Sequence, residues 1–253
     1  MPIRVYLTGR VFVEAGETLI GEQQLSGRQG RLAFAYLVLE RSRAISREKI
    51  SELLWADEIP RSWETSLSAV ISNLRKTLGR AGLARAGVIE QAFGCYQPHL
   101  PPETWVDFEA AAQAVEDAEA AIKANDPTRA FGWVGIATSI ARREFLPGED
   151  CVWFDRRRSE LRDILIRGLD CYCDLLIWKG DAHFAVRVAE ETVSMDPYRE
   201  KGYRRLMRAH NADGNRAEAL RVYQKLRSSL LEDLGVDPSP ETEATFLEIL
   251  QQM

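Results

Sequence analysis

The stretch Thr65-Ser-Leu-Ser-Ala-Val-Ile-Ser-Asn-Leu-Arg-Lys-Thr-Leu-Gly-Arg80 decides how the first half of this chain is read. Leu67, Ile71, Leu74 and Leu78 recur at helical spacing and form one apolar stripe. At 100° per residue the opposite side carries Thr65, Ala69, Ser72, Asn73, Lys76 and Arg80, with no acid anywhere between Thr65 and Arg80. A helix that is small, polar and mildly basic on its outer face suits close approach to a polyanion. An ordinary solvated face is the plain alternative, and only the surrounding elements choose between them.

Those elements have a recognisable order. Ile3, Val5 and Leu7 alternate with Arg4, Tyr6 and Thr8, and Val11-Phe-Val13 follows Gly9-Arg10, as in short strands of an antiparallel sheet. From Gln29 to Arg41 the pattern turns helical and almost wholly apolar, as in a buried helix. Ser46 is placed to cap a second helix with Ile50, Leu53 and Leu54 inward. A break at 56–62 leads into the third helix, expected over 61–80. After a Gly/Ala-rich loop at 79–87, two short runs flank Phe93-Gly94 as a hairpin. Strands, three helices and a terminal hairpin make a winged helix-turn-helix, whose third helix lies in the DNA major groove. The α+β unit is expected over 1–100, and Leu100-Pro-Pro-Glu-Thr-Trp105 marks its end.

In that frame Asn73 is suited to pair with adenine, and Arg75 or Lys76 with guanine or phosphate, while Thr65, Ala69 and Ser72 are short enough to let bases come near. Arg47 and Lys49 open the second helix and Arg61 the third, so these three are expected on phosphates, with Arg80 nearby. The hairpin tip has no Lys or Arg, which leaves Gln91, Phe93 or the backbone to touch DNA there. Arg28, Arg31, Arg41 and Arg43 read as solvated surface.

Residues 105–253 carry no strand signal and are expected to form an all-α tetratricopeptide-like domain. Gly180-Asp-Ala-His-Phe-Ala-Val-Arg187 matches Gly214-Asn-Arg-Ala-Glu-Ala-Leu-Arg221 at an offset of 34 residues, the tetratricopeptide period. A looser copy begins at Asn125-Asp-Pro-Thr, and Pro197 is expected in a helical first turn. About seven helices stacked as hairpins present a surface to another macromolecule. Trp105, Trp133, Trp153, Trp178, Tyr203 and Tyr223 are expected as core anchors.

Composition sets the outer limits. Net charge is −5, but residues 1–100 carry +3 and residues 101–253 carry −8, so only the first part suits an anionic partner. The longest apolar run, Leu32 to Leu39, is far too short for a membrane span, and no secretory signal opens the chain, which points to the cytoplasm. Cys95, Cys151, Cys171 and Cys173 read as free thiols, and no Cys/His group has metal-ligand spacing, so no metal and no cofactor is expected. No phosphate-binding loop, nucleophile elbow or supported carboxylate pair occurs, so the chain does not read as an enzyme.

These residues resemble the Streptomyces antibiotic regulatory protein (SARP) activators, which join an OmpR/PhoB-type winged helix to a bacterial transcriptional activation domain. The resemblance is carried by residues 195–250, by Ile45-Ser-Arg-Glu-Lys-Ile-Ser-Glu-Leu-Leu-Trp55, and by the stretches at 66–79, 106–118 and 153–169. It implies binding to direct repeats in promoter DNA, contact with RNA polymerase holoenzyme and activated transcription, with recognition-helix contacts at Ser72, Asn73, Arg75 and Lys76 and with Thr65 near its start. Val70 and Asn73 stand where the family often has His and Arg, and the wing lacks the family's Arg or Thr. The chain ends just after the activation domain and so resembles a small stand-alone member. The oligomeric state stays open, a homodimer included. A scaffold whose winged helix no longer grips DNA is the competing reading.

Overall fold

The computed structural model describes residues 3–56, 58–80 and 88–251. Most of the loop expected at 79–87, and Asp57 in the break before the third helix, lie outside the described residues. The chain divides into two compact units, residues 1–110 with 140–161, and residues 111–139 with 162–253.

The first unit begins with strands β1 (Ile3–Tyr6), β2 (Phe12–Ala15) and β3 (Thr18–Ile20). They form an antiparallel sheet in the order β3-β2-β1, and a fourth strand, β7 (Trp105–Val106), joins β1 in parallel. Trp105, the last residue of the stretch expected as a boundary, is thereby paired into the sheet, while residues 100–104 before it are irregular or turn. Asp107, the first residue of the next helix, reinforces the join. Its buried carboxylate accepts the Leu7 and Thr8 amides at 2.9 and 3.0 Å and the Thr8 hydroxyl at 2.7 Å.

Helix α1 (Gly27–Leu39) is buried along most of its length, as its apolar run requires. A Cβ on Gly30 would overlap the Leu25 carbonyl oxygen, so only glycine allows the preceding 3-10 turn (Glu22–Gln24) to press against this helix. Helix α2 (Arg47–Trp55) is capped by Ser46, whose Oγ accepts the Lys49 amide at 3.3 Å. Helix α3 begins at Trp63 and runs to Arg80, so Arg61 precedes it in a turn rather than opening it. Its inward stripe is Leu67, Val70, Ile71, Leu74 and Leu78.

The wing consists of β5 (Ile89–Ala92) and β6 (Cys95–Pro98), and a short strand that periodicity did not reveal, β4 (Ile45–Ser46), pairs with β6. Residues 140–161 return to this unit. Arg158 donates to the carbonyls of Phe145, Leu146 and Glu149, and the nearly buried Glu149 carboxylate accepts Arg31 and ion-pairs with Arg28 at 2.7 Å. Arg41 pairs with Glu109 and Arg43 with Glu40. All four cations expected as solvated surface are thus paired with carboxylates; Arg28 and Arg43 remain exposed as expected, whereas Arg31 and Arg41 are partly withdrawn from solvent.

The remaining helices are α4 (Asp107–Lys123), α5 (Pro127–Ala141), α6 (Val152–Lys179), α7 (Ala182–Met195), α8 (Glu200–Ala212), α9 (Arg216–Leu234) and α10 (Pro240–Gln251). In the second unit the repeat is visible in the main chain. Gly180 and Gly214 both have positive φ (86° and 78°), and the turns around them close with the same bonds. Asp181 N donates to Leu176 O and Asn215 N to His210 O, each five residues back. Asn125, with φ 56°, takes the glycine's place in the earlier copy, where Asp126 N donates to Ala121 O. Pro127 and Pro240 open their helices, whereas Pro197 lies in the loop before α8 and not in a first turn.

Cys171 and Cys173, two apart on α6, enter different apolar clusters, one with Ala118 and Val134, the other with Ala185 and Leu206. Burial raises their thiols to about 11 and about 12, so both stay protonated. Tyr203 and Tyr223 are core residues as expected. Trp178 is not: it is 65% exposed on the last turn of α6, and Trp105 lies at the sheet surface against Tyr6.

Candidate nucleic-acid interface

The apolar stripe of α3 fixes which residues face away. Thr65, Ser68, Ala69, Asn73, Lys76 and Arg80 are exposed, and Ser72 is half-buried at the edge of the same face. Ser68 turns its hydroxyl back to the Glu64 carbonyl at 2.7 Å, so it presents little beyond its Cβ. Asn73, Lys76 and Arg80 have no ion pair or side-chain hydrogen bond among the described residues. The result is a shallow strip, short at its start and cationic toward its end.

Two arginines expected at this surface are otherwise engaged. Arg75 is half-buried; its Nε donates to the Ile89 carbonyl at 2.8 Å, and its guanidinium lies 5.8 Å from the Tyr96 ring centre. It fastens α3 to the wing and does not share the outer face with Asn73 and Lys76. Helical geometry explains this, because position 75 follows the inward Leu74 by 100° and faces the flank where the hairpin lies. Arg47 reaches across to α3, donating to the Glu64 carbonyl at 3.2 Å and lying 5.7 Å from the Trp63 ring centre. Its own amide donates to Gly94 O at 3.1 Å. Arg47 therefore ties the starts of α2 and α3 to the wing turn. Lys49 and Arg61 are exposed and carry no partner among the described residues.

The wing closes on a two-residue turn, Ala92 pairing with Cys95 around Phe93-Gly94. Both central residues have positive φ, 50° and 73°, which is the type I′ geometry matching strand twist. Glycine adopts this readily, but an aromatic L-residue there costs about 1 kcal/mol. Phe93 is also fully exposed, with Gln91 and Ala92 exposed beside it. The tip position expected for Phe93-Gly94 between the two runs is the signal in sequence for that exposure.

The arrangement offers hydrogen-bonding and cationic groups on a convex helix, with no nucleophile–base pair. Among the described residues no group of three Asp, Glu, His or Cys could hold a metal, and no helix is long and apolar enough to cross a membrane.

Comparison with known proteins bears on both units. The family described as Bacterial transcriptional activator domain matches residues 106–250. The transcriptional regulatory protein MoaR1 of Mycobacterium tuberculosis is 24% identical over 225 residues, covering 88% of this chain and 72% of MoaR1. The regulatory protein AfsR of Streptomyces coelicolor is 28% identical over 232 residues, covering 91% of this chain and 23% of AfsR. Among solved structures, Mycobacterium tuberculosis EmbR in complex with a low-affinity phosphopeptide superposes with a TM-score of 0.84 at 24% identity, over 99% of this chain and 65% of that one. That likeness covers the mixed N-terminal part and the helical repeats alike.

Proposed function

The chain belongs to the bacterial transcriptional activator domain family, that of the SARP-type regulators, and we propose that it activates promoters by setting α3 into the major groove of direct repeats and bringing RNA polymerase holoenzyme to them. It is a DNA-binding transcriptional regulator and not an enzyme. Family membership favours the activator over a scaffold with a degenerate winged helix.

One observation carries the finer reading. The outward strip of α3, from Thr65 to Arg80, carries no acid, and its Asn73, Lys76 and Arg80 have no partner among the described residues, while Arg47 and Arg75 are held by the fold. In this reading Asn73 reads a base, Ser72 and Thr65 line the approach, and Lys49, Arg61, Lys76 and Arg80 sit on phosphates. Arg47 and Arg75 hold the frame, and Gln91 contributes from the wing. Residues 1–100 take the DNA, and residues 105–253 take the polymerase. Direct repeats seat two copies side by side on one duplex, in the cytoplasm.

Footprinting on DNA flanking the protein's own gene tests the DNA side, followed by run-off transcription with holoenzyme. Protection of two tandem sites, lost in Lys76→Ala with Asn73→Ala, and a transcript that depends on the full chain support the proposal. Salt-insensitive or absent protection returns the case to the scaffold.

A further inference from the structure

We propose that Phe93 is an apolar wedge that enters the minor groove beside the major groove occupied by α3, partly unstacking one base step and selecting for deformable sequence there. This rests on the DNA-binding reading above and deepens it.

The wing has no charge with which to hold a phosphate. Between Val88 and Pro98 there is neither Lys nor Arg, and the acid of that stretch, Glu90, is paired with His99 at 2.9 Å. At the tip stands a fully exposed phenyl ring on a main chain with φ 50°. The residue thus brings strain to the fold, gains no burial from it, and among the described residues touches nothing that would offset the strain. Such a residue makes physical sense where a second molecule covers it.

The surroundings say which molecule. Protein-docking sites are apolar patches, but Gln91, Ala92 and Gly94 around Phe93 are polar or small. A single narrow projection suits a slot, and the minor groove is about 6 Å wide. The tip is also tied to the reading head, because Gly94 O accepts the first amide of α2 and Arg47 continues to α3. Phenyl rings pressed between base steps kink the duplex toward the major groove. Pyrimidine–purine steps yield most easily, so the preference is for TA or CA at that position.

The test uses the full chain, a labelled duplex selected by it from a randomised pool, and the variant Phe93→Asn. Asparagine tolerates the left-handed turn, so the variant should melt a few degrees higher than the parent. Its affinity should fall about tenfold, with the slope of log K against log salt unchanged and the bend measured by end-to-end energy transfer reduced. Selection repeated with the variant should lose the TA or CA preference. Lys76→Ala is the contrast: its salt slope should fall by about one while the bend persists. Parental affinity or an undiminished bend in Phe93→Asn overturns the wedge and leaves DNA binding standing. Failure of the parent to select any duplex overturns both.

Discussion

Arg75 donates from Nε to the main-chain carbonyl of Ile89 at 2.8 Å, so the third helix grips the wing through a side chain that spacing alone assigns to a base. Charged donors and cation–π contacts each contribute on the order of 1–2 kcal/mol. Arg75→Ala should therefore lower thermal stability and weaken binding about equally across DNA sequences. Arg75→Lys should not rescue it, since lysine lacks the forked donor that spans Ile89 and Tyr96. An unchanged melting temperature with altered preference at one base would reverse this assignment.

Asn73 and Lys76 should separate in the opposite sense. Asn73→Ala should cost about 1–3 kcal/mol on a site with adenine at one position and little on a site without it. Lys76→Ala should weaken all sites alike and reduce the salt slope by about one. Titration of matched and mismatched duplexes at several salt concentrations checks both.

Glu40 predicts an acid transition in the first unit. Burial opposes its ionised form, yet hydrogen bonds from Trp153, Arg43 and Arg157 overcome that and hold its carboxyl at about 2, against an ordinary 4.5. A pKa depressed by folding means stability that is complete above pH 4.5 and lost as pH falls toward 2, here up to about 3 kcal/mol. Burial moves the Asp107 carboxyl the other way, so its protonation favours the fold and offsets part of the loss. Unfolding free energies measured from pH 6 to pH 2 should fall steeply for the parent and more shallowly for Glu40→Gln, which should also be less stable at neutral pH.

Gly30→Ala should destabilise by more than about 2 kcal/mol, because the added methyl meets the Leu25 carbonyl, a main-chain atom that cannot swing aside. Gly180→Ala meets no atom and bears only its positive φ, so about 1 kcal/mol is expected there. Denaturant melts of the two variants give the comparison directly.

Much of the fold was legible because its elements announce themselves locally. The α3 stripe, the Ser46 cap, the hairpin around Phe93-Gly94 and the 34-residue repeat each rest on periodicity or on turn chemistry, which are properties of neighbours in sequence. Strands of two residues escape that reading. β4 and β7 exist because a partner strand lies alongside, and Ile45-Ser46 or Trp105-Val106 alone carry too few residues to show alternation. The candidate interface was legible only as a face. Asn73, Lys76 and Arg80 look outward as their spacing predicts, while Arg47 and Arg75 are withdrawn by groups 17 and 14 residues away.

Taken by itself, the chain's order of residues determined which segments are helical, which side of α3 is apolar and where the repeats turn, since these follow from side-chain spacing and left-handed glycines. Tertiary structure decided which cations remain available. Arginine is long and forked, and its partner is whichever carbonyl or carboxylate the fold brings within reach; Glu149 holds Arg31 from 118 residues away. No local pattern encodes that distance, and so the chemistry of the surface was settled only when the chain had packed.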